Sequence, residues 1–62
     1  MPLSELLRRK LYDERRSLHL TYLQLGKRVG VDEVVLWRFM QGKTANSKLI
    51  DILYARYGGD LT

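Results

Sequence analysis

An all-α domain of four helices is the fold this sequence predicts, and three observations predict it. Apolar residues recur at spacings of three and four in four separate segments, the period of helices buried along one face. Capping side chains stand ahead of those segments, and glycines stand where three of them end. The 62 residues have room for one core, so residues 1–62 are expected to form a single domain. At this size the core must be closely packed helix or gain support from a partner.

In "SELLRRKLYDERR", Leu7 and Leu11 lie four apart, with Leu3 one turn earlier, and Ser4 ahead of Glu5 suits an N-cap with an acidic first turn. The first helix is expected from about Ser4 to Arg16. "SLHL" has no period of its own, and His19 reads as a turn residue. Thr21 then caps "YLQLGKRV", a helix of about two turns in which Leu25 and Val29 share a face. Gly30 stands where a helix commonly ends in the left-handed conformation, and Asp32 can cap the next. So short a connection makes the two helices meet at a steep angle. The third helix is expected from about Glu33 to Gln41, stopping at Gly42. "KTAN" is a polar connector, Asn46 or Ser47 caps the fourth helix, and Leu49, Ile50, Leu53 and Tyr57 recur through "KLIDILYARY". Gly58-Gly59 ends that helix, leaving Leu61 to pack on the core or on a second subunit.

With 45% apolar residues, one proline and no low-complexity run, the composition is that of a folded domain. The absence of cysteine excludes disulfides and thiolate metal sites. A single histidine and no clustered acids leave nothing with which to build a hydrolytic or metal centre, and adjacent Asp13 and Glu14 are not a facing pair. No catalytic residue, metal, cofactor or small-molecule substrate is therefore expected, and the chain does not read as an enzyme. No apolar run is long enough to span a bilayer or serve as a cleaved leader, which reads as an intracellular, cytoplasmic protein without a membrane partner. Eleven lysines and arginines against seven acids give a net charge of +4. The basic residues fall in groups, Arg8-Arg9-Lys10, Arg15-Arg16, Lys27-Arg28, then Arg38, Lys43 and Lys48. Such groups are either the wet faces of helices or a footprint for nucleic acid.

The third helix separates these readings. Val35, Leu36, Phe39 and Met40 form one stripe, and Glu33, Val34, Trp37, Arg38 and Gln41 form the opposite one. The first stripe continues the apolar faces of helices two and four, so the second points away from the body. Water alone favours lysine and glutamate on such a face, whereas base edges suit this mixture. Arginine pairs with both guanine acceptors, glutamate accepts from the cytosine amino group, and valine or tryptophan lies against a thymine methyl. Tyr12, Tyr54 and Tyr57, at helical spacing, suit a core or a dimer surface better than base stacking.

"TYLQLGKRVGVDEVVLWRFMQGK" resembles the helix-turn-helix of the Xre, Cro and phage-repressor family. Gly26 follows Leu25, Gly30 comes four residues later, and Val31, Leu36 and Phe39 occupy the pattern's apolar positions before Gly42-Lys43 closes it. The resemblance implies a compact four-helix, repressor-like domain with its motif at about residues 22–41. It implies a transcriptional regulator that binds double-stranded DNA through a helix in the major groove. The implied base-reading positions are Glu33, Val34, Trp37 and Arg38. Tyr22, which replaces the family's usual glutamine, is implied to contact a phosphate together with Gln41, Lys43, Thr44 and Arg15. Val34 and Trp37 depart from the polar residues usual on the reading helix. One module covers about one half-site, so a homodimer or a longer parent protein is natural. A designed DNA-binding module on this scaffold also fits the apolar reading positions. The rival class is a protein-binding helix-turn-helix, such as an antitoxin or phage accessory factor, with Val34 and Trp37 as interface hot spots.

Overall fold

The computed structural model describes residues 3–43 and 46–61. Four α-helices, α1 (Leu3–Ser17), α2 (Tyr22–Val29), α3 (Glu33–Met40) and α4 (Ser47–Tyr57), lead into a short 3-10 turn, Gly58–Asp60. The described residues contain no strand, and no helix among them is long and apolar enough to cross a membrane. The Cα radius of gyration is 10.5 Å. A compact chain of this length has one of about 10.6 Å.

All four helices contribute to one core. Leu7 and Leu11 of α1, Leu25 and Val29 of α2, Leu36 and Phe39 of α3, and Leu49, Leu53 and Tyr57 of α4 are buried together. Leu3 belongs to the same sequence stripe but remains 38% exposed, outside that core. The helix begins at Leu3, so Ser4 lies inside the first turn and is not its cap. Leu61 packs back on the core of its own chain.

Local chemistry fixes the helix ends. Thr21 Oγ1 accepts from the Gln24 N–H at 3.2 Å, while Gln24 Oε1 accepts from the Thr21 N–H at 2.9 Å, a reciprocal capping box. Asp32 Oδ2 accepts from the Val34 N–H, and Asn46 Oδ1, rather than Ser47, accepts from the Leu49 N–H. Gly30 adopts φ 81°, and both its N–H and that of Val31 donate to the Gly26 carbonyl. The α3 end is similar. It finishes at Met40, one residue before Gln41, and Gly42 at φ 77° and Lys43 donate back to the carbonyls of Phe39 and Arg38. His19 turns the chain between α1 and α2 with φ 53°, the one described non-glycine residue with a positive φ.

Two glycines serve packing. A Cβ on Gly26 would stand 2.5 Å from the Val31 carbonyl oxygen, so its absence lets α2 lie against the turn into α3. Gly58 does stop α4, but with an ordinary φ of −56°, and a Cβ there would press on the Tyr54 ring at 3.0 Å. The α4 end is therefore set by ring packing and a tightened turn, without a left-handed glycine.

Polar contacts tie the helices at their surfaces. Glu14 of α1 accepts from Arg28 Nε at 2.7 Å, Arg56 NH2 at 2.9 Å and the Tyr57 hydroxyl at 2.9 Å, linking α1 to α2 and α4. Burial pushes the Glu14 carboxyl up, but the three hydrogen bonds outweigh it and hold it below the ordinary range. Burial, reinforced by this neighbouring carboxylate, pushes the Tyr57 hydroxyl up. Arg8 of α1 donates from Nε to the Phe39 carbonyl at 2.8 Å and lies over the Phe39 ring. Its charge thus meets the negative end of α3.

Candidate nucleic-acid interface

The separation of stripes on α3 is realised in the fold. Leu36 and Phe39 are fully buried, Val35 and Met40 half-buried, and Glu33, Val34, Trp37, Arg38 and Gln41 exposed. Val34 is 52% and Trp37 43% exposed, so two large apolar side chains face outward on one short helix. Gln41 caps the helix with its backbone, donating to the Trp37 carbonyl. Among the described residues, no hydrogen-bond acceptor or carboxylate engages the Arg38 side chain.

Three of the expected base-reading residues share one concavity. Glu33, Val34 and Trp37 of α3 line a shallow groove of about 240 Å³, closed on its far side by Tyr22 at the start of α2. The left-handed turn at Gly30 and the close approach at Gly26 bring these two helix starts together. Arg38 lies outside the groove, farther along the same exposed stripe.

A cation stands at each end of this surface. The Arg15 guanidinium lies over the Tyr22 ring at 5.1 Å, and Lys43 Nζ lies over the Trp37 ring at 5.5 Å. The strip therefore runs continuously from Arg15 through Tyr22, the groove and Trp37 to Lys43. Arg15 Nε is buried with no hydrogen-bond partner among the described residues. Ring stacking thus orients the Arg15 guanidinium at this end of the strip, with Nε turned inward. Thr44, expected to contact the backbone of DNA, lies outside the described residues.

Other candidates separate into structural roles. Tyr57 is a core residue bonded to Glu14, whereas Tyr12 and Tyr54 are 43% and 49% exposed, outside the core. Tyr12 accepts from Arg16 on its own helix. Arg28 belongs to the Glu14 cluster, so it is a tie between helices as well as part of a basic group. No group of three or more His, Cys, Asp or Glu among the described residues is arranged to hold a metal ion.

Sequence reasoning places Tyr22 on a phosphate and misses its role as a groove wall. It also leaves the Arg15 and Lys43 stacks unread. Their only signal is the coexistence of cations and aromatics near both helix starts, which does not specify which pairs meet. No family model matches the chain, and no curated protein or solved structure matches it, so the functional reading rests on this geometry.

Proposed function

We propose that this domain binds double-stranded DNA with α3 in the major groove, as repressor-type regulators do. The observation that carries this reading is the strip of exposed α3 residues with a stacked cation at each end. A major groove about 12 Å wide admits one α-helix, and flanking cations then face the phosphates on either side. Arg38 pairs with guanine, Glu33 accepts from an exocyclic amino group, and Val34 and Trp37 contact the carbon edges of pyrimidines. Arg15, Tyr22, Gln41 and Lys43 hold the backbone. Two copies bound to adjacent half-sites give the affinity that one short helix lacks.

The apolar groove favours a second reading, in which Tyr22, Val34 and Trp37 receive an apolar side chain from a protein partner. Anisotropy titrations of a labelled mixed-sequence duplex between about 50 and 200 mM salt separate the two. The DNA reading expects log K to fall linearly with log salt, with a slope of about −2 to −4 for a few neutralised phosphates. No binding at the lowest salt, or binding indifferent to salt, refutes it.

A further inference from the structure

We propose that the groove between α2 and α3 reads 5-methylcytosine in duplex DNA, an inference that rests on the DNA-binding reading above. The wall residues carry it. Tyr22, Val34 and Trp37 present ring and methyl carbon, while Glu33 places a carboxylate on the same concavity. A carboxylate only accepts hydrogen bonds, so it selects a base edge that offers a donor.

In the major groove, cytosine offers its N4 amino donor beside C5, whereas thymine offers the O4 acceptor beside its methyl group. Glu33 therefore matches cytosine and repels thymine. The apolar walls make the converse demand, because an unsubstituted cytosine C5 leaves them without a partner. The pyrimidine that carries both an amino donor and an adjacent methyl group is 5-methylcytosine. Position on the helix supports the pairing: Glu33 and Trp37 are four residues apart and Val34 and Trp37 three, so all three approach one base step from the same face. In the DNA-bound arrangement proposed above, the cations stacked on Tyr22 and Trp37 at the two ends take the phosphates and leave the acid at a base edge.

Parallel selections from randomised duplex pools test this, with cytosine, 5-methylcytosine or uracil in place of thymine as the only difference between pools. The expected result is a site from the methylated pool that binds about threefold to tenfold more tightly than its unmethylated copy, the effect of burying one methyl group. Trp37→Ala, at an exposed position, is expected to bring that ratio close to one. Arg38→Ala is expected to weaken both copies equally. Equal affinity for the methylated and unmethylated site overturns the inference and leaves DNA binding standing. Discrimination of thymine from uracil without discrimination of methylated cytosine also overturns it, since the walls then take a thymine methyl and the acid can accept from the paired adenine. Failure of every pool at low salt overturns the DNA reading itself, and the inference with it.

Discussion

Gly26→Ala introduces a single methyl group where α2 meets the turn into α3. The added carbon lies 2.5 Å from the Val31 carbonyl oxygen, with the Glu33 amide nitrogen and Cα next at 3.5 and 3.7 Å. Carbon and oxygen settle at about 3.4 Å or more, so the turn must retreat by roughly 1 Å. The obstacle is backbone, anchored because Gly30 and Val31 both donate to the Gly26 carbonyl. Overpacking costs about 1 to 3 kcal/mol, and an obstacle of anchored backbone at 2.5 Å puts this case at about 2 to 3, against a gain of about 1 kcal/mol from alanine's higher helix propensity. The expected net loss is about 1 to 2 kcal/mol, which lowers Tm by about 5 to 15 °C in a domain of this size. Thermal and urea denaturation followed by circular dichroism measure it, with Gly59→Ala, whose Cβ meets nothing within 4 Å, as the neutral comparison. A Gly26→Ala protein as stable as the parent refutes the close approach and the placement of Tyr22 against α3.

Gly30→Val forces a branched residue to φ 81°, and although its Cβ meets nothing within 4 Å, the backbone strain alone is expected to cost about 1 to 3 kcal/mol by urea denaturation. Glu14→Gln removes the charge shared by Arg28, Arg56 and Tyr57 and is expected to lower stability by about 1 to 2 kcal/mol at neutral pH. Because the folded Glu14 carboxyl lies below its ordinary 4.5, its contribution is complete above that pH and lost as pH falls further. Tyr57 lies above its ordinary 10.0, so its contribution is complete below that pH and lost as pH rises through the raised value. Denaturation across pH should therefore show an acid limb that Glu14→Gln flattens and an alkaline limb that Tyr57→Phe flattens. Arg38→Ala is expected to cost about 1 to 3 kcal/mol of DNA affinity and relax preference at one base pair, whereas Lys43→Ala weakens all sequences and reduces the salt slope by about one unit. Competition titrations against site variants distinguish these outcomes.

The starts of α2, α3 and α4 and the glycine stops of α2 and α3 were legible because their causes are local, whereas the sequence misplaces the start of α1 at Ser4. Thr21, Asp32 and Asn46 each cap within three residues of themselves, and Gly30 and Gly42 take the left-handed conformation next to the helices they end. The sequence identifies Thr21 as a cap but leaves the reciprocal bond from Gln24 unread, although the Thr-x-x-Gln spacing carries it. The Glu14 cluster was not, since its partners lie 14, 42 and 43 residues away and no periodicity links them. Gly58 shows another limit: a glycine after a helix signals a left-handed stop, but here it makes room for the Tyr54 ring. On α3, alternation of faces identified the outward stripe, yet the groove required Tyr22 to cross the turn and meet Trp37. That meeting depends on Gly26, whose purpose becomes visible only with the Val31 carbonyl beside it.

The central claim is that α3 reads bases. Selection of the purified protein against a randomised duplex library, at about physiological salt and again at lower salt, tests it most directly. Base reading by α3 predicts enrichment of a short site, asymmetric for one copy and an inverted repeat for two related by a two-fold axis. Absence of enrichment at both salts contradicts it and transfers the exposed surface of Val34 and Trp37 to a protein partner.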